Sequence, residues 1–171
     1  MKSKRRKLTY PPKAKLLFAL LWSDEAVLSE VEEKIQKSYG KIQSELNAFL
    51  FDSTNYYEME MGGNLKKKFI FVGNKVDRTE LVKIKNRCVE LEDLFLNSNG
   101  DRKINIDPMI MTEENLVVAT GKLFPHRPYL GEGVFAQVEL VRKKGHFEGL
   151  PWTYPDYLEN VKFFEKIYDI S

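Results

Sequence analysis

The order of apolar patterns along this chain predicts an α+β fold, and three observations predict it. Residues 16–22 are apolar without interruption, as in a strand covered on both faces by other layers. Residues 56–61 alternate with period two, and after Gly62-Gly63-Asn64 the run 67–72 reads as the returning strand of a hairpin. Leu81, Ile84, Cys88, Leu91 and Phe95 recur at helical spacing. With a helix after the first strand, the order strand, helix, strand, strand, helix begins a ferredoxin-like split β-α-β core. The remaining chain adds a C-terminal β-hairpin and a terminal helix to it.

Each element has a local reason. Ser23 is placed to cap the first helix, with Asp24 and Glu25 in its first turn favouring the positive end of the helix dipole. Val27, Leu28, Val31 and Ile35 form its buried stripe, and Tyr39-Gly40 ends it. Residues 42–51 alternate as a further strand segment. In residues 56–61, Tyr57, Met59 and Met61 share one face, while Tyr56, Glu58 and Glu60 share the other. Asp77 and Glu80 have capping-box spacing ahead of the long helix, and Asn97-Ser98-Asn99-Gly100-Asp101 closes it. The fourth core strand falls at 104–106 or 116–119. Residues 116–120 and 134–142 pair as the added hairpin, with Val134, Ala136, Val138 and Leu140 on one face and Phe135, Gln137 and Glu139 on the other. A rigid 149–156 segment leads into the last helix, with Thr153 as cap, Pro155 in the first turn, and Tyr157, Leu158, Val161, Phe164, Ile167 and Tyr168 docking it.

Charge separates a tail from a body. Residues 1–15 hold seven basic side chains and no acidic one, and the remaining 20 basic and 25 acidic residues leave the body at −5. An acidic body argues against a broad nucleic-acid face, so contact with RNA or an acidic partner would fall to the tail. The division expected is a basic, flexible tail at 1–13 and a single α+β domain at 14–171. One cysteine excludes an internal disulfide framework and makes the cytoplasm the expected compartment, and the short apolar run at 16–22 argues against a membrane span.

The candidate site is the loop 121–133, longer than an ordinary hairpin connection and pinned by Pro125 and Pro128. Lys122 offers a point charge, Arg127 a fork suited to phosphate or carboxylate, and His126 a proton carrier near neutral pH. Asp107 would orient His126 if the two segments lie side by side, Glu60 would face the loop across the sheet, and Tyr129 is a further ligand contact. The catalytic candidates are therefore His126 and Asp107, and the ligand-binding candidates Lys122, Arg127, Glu60 and Tyr129. These residues suit a phosphorylated small molecule or nucleotide, with phosphoester hydrolysis the reaction they could perform; whether any reaction follows binding is left open. They point to no particular cofactor. Two histidines without ligand spacing argue against a metal. Glu58-Met59-Glu60 has the spacing of a metal-holding carboxylate strand without its lysine, since position 62 is Gly, and an alternating solvent face explains it better.

Asn74-Lys75-Val76-Asp77 looks like a guanine-specifying element, yet no phosphate-cradling Gly-x-x-x-x-Gly-Lys-Ser/Thr loop accompanies it, and Asp77 is explained as a cap. Trp152, Tyr154 and Tyr157 form an aromatic cluster that either lines a pocket or staples the last helix.

Several of these stretches resemble the bacterial domain-of-unknown-function family 4416. They are residues 56–62, 105–108, Lys122 with 126–130, 133–140 and 150–157, the last (Leu-Pro-Trp-Thr-Tyr-Pro-Asp-Tyr) being the most specific. The resemblance runs from Lys13 onward. Some members carry the label GTP-binding protein, so the resemblance also implies GTP binding, which stands beside a non-catalytic interaction or RNA-associated role as an alternative to the phosphorylated-ligand reading. This chain departs from the family pattern at Met109, where Gly is expected, and at Pro128, where an aliphatic residue is expected.

Overall fold

Strand β1 (Ala14–Trp22) is the axis of the fold, pairing antiparallel with β4 (Lys66–Val76) on one side and β5 (Ile104–Met111) on the other. This is seen in a computed structural model that describes residues 8–52 and 55–170. The fold is mixed α and β: a nine-stranded sheet, antiparallel at every described pairing, with a few helices. The chain of strands runs β2 (Ile42–Glu45), β4, β1, β5, β6 (Asn115–Thr120), β8 (Val134–Lys143), β7 (Tyr129–Gly131). β3 (Phe49–Leu50) pairs with β4, and β9 (His146–Gly149) with β8. Residues 1–7, which carry most of the basic tail, lie outside the described residues; 8–13 contain no helix or strand. Among the described residues no helix is long and apolar enough to cross a membrane.

The unbroken apolar run of β1 has the expected cause. Leu16, Phe18, Leu20 and Trp22 pack with helix α1 (Glu25–Tyr39) and helix α3 (Leu81–Glu92), while Leu17 and Ala19 pack on the opposite face with helix α5 (Val161–Asp169). Both faces are therefore covered, which removes the selection for polar residues at alternate positions. The stripe Val27, Leu28, Val31 and Ile35 is buried as read. The cap of α1 is Asp24, not Ser23, because the helix starts one residue later; its Oδ1 accepts from the Ala26 N–H at 3.0 Å. Asp77 and Glu80 form a complete capping box ahead of α3, preceded by a single 3-10 turn.

Several expectations are corrected. Residues 42–51 break into β2 and β3, with Leu46 between them still donating its N–H to the Phe69 carbonyl at 2.8 Å. Residues 56–61 are not a strand: a 3-10 turn over Asn55–Tyr57 runs into the short helix α2 (Glu58–Met61). The buried contacts recur at spacing four, Tyr57 and Met61 packing on Leu21 and Leu65, and Met59, which a strand would bury, is 97% exposed. The partners of β4 are accordingly β1, β2 and β3.

The C-terminal half adds a hairpin that the sequence reading missed. Lys144 (φ 49°) and Gly145 (φ 92°) both take positive φ, the requirement of the tight turn joining β8 to β9. The last helix is two pieces, α4 (Pro155–Glu159) and α5, separated at Asn160. Thr153 does not cap them; its hydroxyl accepts from the Leu150 N–H at 2.7 Å and donates to the Glu139 carbonyl at 2.5 Å, tying the lead-in to β8. Lys15 closes the far end of α5 by donating to the carbonyls of Ile167 (2.8 Å) and Tyr168 (2.6 Å).

Candidate functional site

On the sheet face opposite α1 and α3, the inward side chains of five strands floor a cavity of about 260 Å³. Register fixes which residues these are. Lys67 stands opposite Leu21, which stands opposite Asn105; Ala19 stands opposite Asp107; Val118 stands opposite both Met109 and Gln137. The walls come from three connections: Phe51, Tyr56 and Tyr57 before and within the α2 segment, Lys122, Phe124 and Arg127 from the long loop, and Tyr154, Asp156 and Tyr157 from α4 and its lead-in.

The cavity's acid, Glu139, sits at a bulge in β8. Leu116 pairs with Leu140 but Val117 with Val138, so Glu139 is an extra residue in β8. The bulge breaks the simple alternation read from the sequence: Val134 packs on the α1/α3 side, whereas Leu140 packs on the α5 side and Gln137 faces the cavity. Glu139 is 1% exposed, accepts from the Tyr154 N–H at 3.2 Å, and also accepts from Gln137 Nε2. Burial pushes its carboxyl up to about 7, against the opposing hydrogen bonds from Tyr154 and Gln137.

The open edge of β5 explains a second buried network. β6 pairs with β5 only at Met109–Met111, leaving Ile106 without a strand partner on that side. Two side chains of α3 substitute for the missing strand: Glu92 Oε1 accepts from the Ile106 N–H at 2.6 Å, and Lys85 Nζ donates to the Ile106 carbonyl at 2.8 Å. Lys85 also reaches Asp107 Oδ1 at 2.8 Å, and Asn105 donates to Asp107 Oδ2 at 2.7 Å. Burial works to raise the Asp107 carboxyl, but the Lys85 ammonium and these hydrogen bonds hold it below its ordinary value. Glu60 is engaged with Arg102, which grips it by Nε (2.6 Å) and Nη2 (2.8 Å) and reaches Glu92 Oε2 by Nη1 at 2.9 Å. The Arg102 hydrogen bonds lower the Glu60 carboxyl.

The sequence candidates separate into those at the cavity and those beside it. Lys122, Arg127 and Asp107 line it; Glu60, His126 and Tyr129 do not. Arg127 is a strut, donating to Gln137 Oε1 (2.5 Å), the Lys122 carbonyl (2.9 Å) and the Tyr154 hydroxyl (3.0 Å) while lying over the Phe124 ring. His126 stacks on Trp152 with ring centroids 4.8 Å apart, and its Nε2 donates to Gln137 Oε1 at 3.1 Å. Asp107 and His126 are not in contact; their partners are Lys85 and Asn105 for one, Gln137 and Trp152 for the other. Tyr129 is 62% exposed, its hydroxyl accepting from the Gly133 N–H. Asn74–Asp77 lies at the end of β4, where the Asp77 carboxylate is occupied by the Thr79 N–H and hydroxyl.

Lys122 is the open cation. Its ammonium donates to the Tyr57 hydroxyl at 2.8 Å and sits 3.8 Å and 4.3 Å from the centroids of Tyr56 and Tyr57, with no carboxylate ion-paired to it among the described residues. Burial lowers its pKa to about 8. Lys67, by contrast, is paired with Asp156 at 2.5 Å.

Sequence reasoning missed Lys67, Gln137, Glu139 and Asp156. Polar residues at alternate positions in the otherwise apolar β8 were the available signal for two of them; the aromatic cluster Tyr154 and Tyr157 flanking Asp156 was the signal for a third. Lys67 had none beyond a charge at the start of an apolar strand.

No curated protein and no solved structure matches the chain. A family model described as a domain of unknown function matches residues 12–170. Because that match covers essentially the whole chain, the loop, the β8 bulge and the α4 lead-in that build this cavity all lie inside one family module, and the chain belongs to the DUF4416 family.

Proposed function

We propose that the protein binds a compact phosphorylated small molecule or nucleotide in this cavity, with Lys122 as the contact to its anionic group. The single observation that carries the reading is the charge arrangement of the lining. Asp107 and Asp156 each have an ammonium partner, burial leaves Glu139 only about half ionised at pH 7, and Lys122 has a phenol and two ring faces but no carboxylate. An unpaired ammonium in an aromatic-walled cavity favours an anion, and a volume slightly below the ~300 Å³ lower end of drug-sized sites favours a small one. Phosphoester hydrolysis, if it accompanies binding, would exchange its proton with Glu139, which lines the cavity, rather than with His126. Two further parts of the reading go with it. The order β2-β4-β1-β5 with α1 and α3 on one face supports a ferredoxin-like split β-α-β core, and the single cysteine, buried on α3, supports a reducing, cytoplasmic setting.

The test is thermal unfolding of the full chain against a panel of nucleotides, sugar phosphates and orthophosphate, repeated with Lys122→Ala. Stabilisation by at least one phosphorylated compound that the variant loses is the expected result. A panel response identical in the two proteins overturns the proposal. The alternative of RNA or an acidic partner engaging the tail rests on residues 1–7, outside the described residues, and is tested separately by deleting them.

A further inference from the structure

Asp156 is 2% exposed, lines the cavity, and neither of its carboxylate oxygens meets a donor in hydrogen-bond geometry among the described residues. Lys67 compensates its charge, with the ammonium 2.5 Å from Oδ2, but that contact leaves the acceptor capacity of Oδ1 wholly unused. A buried acceptor without a donor is destabilising, so its retention in a cavity wall calls for an occupant that supplies the hydrogen bond.

The surroundings select the occupant's chemistry. Because Lys67 already neutralises Asp156, the missing group is a donor and not a second cation, which disfavours an alkylammonium. The same lining holds the rings of Phe51 and Tyr157, each 5.0 Å from the Lys67 ammonium, together with Tyr57 and Phe124. Flat aromatic walls favour a flat ligand body. The Glu139 carboxylate beside them has a donor on each oxygen and a lone pair still open on each.

We propose that the Asp156 end of the cavity accepts the N–H donors of an amino group on a planar heteroaromatic ring, the ring being part of the phosphorylated ligand whose anion meets Lys122. The inference rests on the anion reading given above and adds the second half of the ligand: a nucleotide with an exocyclic amino group fits both ends, whereas a sugar phosphate fits one.

The experiment is calorimetric titration of the full chain with AMP, GMP and CMP and with partners that lack the amino N–H: N6,N6-dimethyl-AMP, IMP and N4,N4-dimethyl-CMP. At least one amino nucleotide should bind ten times or more tighter than its partner, and Asp156→Ala should shrink that ratio to below about threefold. The ligand pairs need no variant, so the inference stays exposed to refutation even if Asp156→Ala does not fold. Equal affinities within every pair, together with a general loss in Lys122→Ala, overturn the donor site and leave the anion reading standing, with water filling the Asp156 end. Binding of sugar phosphates but of no nucleotide likewise overturns the donor site alone. An amino preference that survives in a folded Asp156→Ala overturns the assignment to that residue, and failure of every phosphorylated compound overturns both readings.

Discussion

Raising the pH from 7 to 9 should weaken phosphorylated ligands about tenfold through Lys122, read in a Glu139→Gln background because Glu139 lines the same cavity and titrates at about 7. Burial holds this ammonium at about 8 in the free protein, so it is mostly charged at pH 7 and only about a tenth charged at pH 9. A bound anion favours the charged form, so the free protein must take up a proton to bind at the higher pH, and affinity falls by the free fraction. Phosphate monoesters lose their second proton near pH ~6, so the ligand's own charge is constant across this window. At a ligand concentration of about 100 times the pH 7 dissociation constant, stabilisation is about 2.7 kcal/mol, or roughly 5–11 °C for a chain of this size. After a tenfold loss it is about 1.4 kcal/mol, or roughly 3–6 °C. The assay is the ligand-induced shift in unfolding temperature at the two pH values, each against the ligand-free protein. Lys122→Arg stays charged throughout and should flatten the dependence. A shift that is the same at pH 7 and 9 in that background, or one that halves equally when Lys122→Arg is added to it, would refute the role given to this ammonium.

Three further outcomes follow from the site's construction. Glu139 has its folded pKa raised to about 7, so the native state holds its proton above the pH at which the unfolded chain releases it; stability is full below the ordinary glutamate range and is lost as pH rises through about 7. Urea unfolding at pH 5 and pH 8 should therefore show a loss of at most about 3 kcal/mol that Glu139→Gln removes. Lys85→Met leaves Asp107, Glu92 and the Ile106 carbonyl without their shared cation and should cost about 3–5 kcal/mol, read as a fall in the urea midpoint. His126→Ala loses a ring stack and one hydrogen bond, about 1–2 kcal/mol, while leaving the ligand-induced shift unchanged because His126 does not line the cavity.

What the sequence disclosed and what it hid divide along the range of the interactions. The β1 run and the Asp77 capping box were legible because each is decided within a few residues: one by burial on both faces, the other by two side chains on one turn of backbone. Residues 56–61 misled because over six positions a stripe at spacing two and one at spacing four share members; Tyr57 and Met61 satisfy both, and only tertiary packing, with Met59 left in solvent, separates them. The bulge at Glu139 was invisible because it is a property of register between two strands and not of either strand's composition. The loop that carries Lys122 could be picked out by its length and charge. Its functional partners could not, since Lys67 and Asp156 are 89 positions apart in the chain and meet only when α4 folds over β4.

The polar constellation of the cavity depends on places where regular pairing fails. Where β6 leaves β5, Glu92 and Lys85 substitute for the absent strand at Ile106, and the same Lys85 then fixes Asp107 as an ionised wall of the cavity. Where β8 carries one residue too many, Leu140 joins Gln137 and Glu139 on that face, and Gln137 passes the contact on to Arg127 and His126. The loop residues singled out by the sequence are thus of two kinds. Arg127 and His126 spend their hydrogen bonds on Gln137, Tyr154 and the Lys122 carbonyl, holding the loop in place, so their loss should act on stability; Arg127 lines the cavity and its loss should also lower binding, whereas loss of His126, which does not, should leave binding unchanged. Lys122 spends its charge on no carboxylate. A half-buried ammonium in that position is destabilised in the free protein and relieved by an anion, and it is this difference between the empty and occupied cavity, not the number of charges in the loop, that points to Lys122 as the ligand contact.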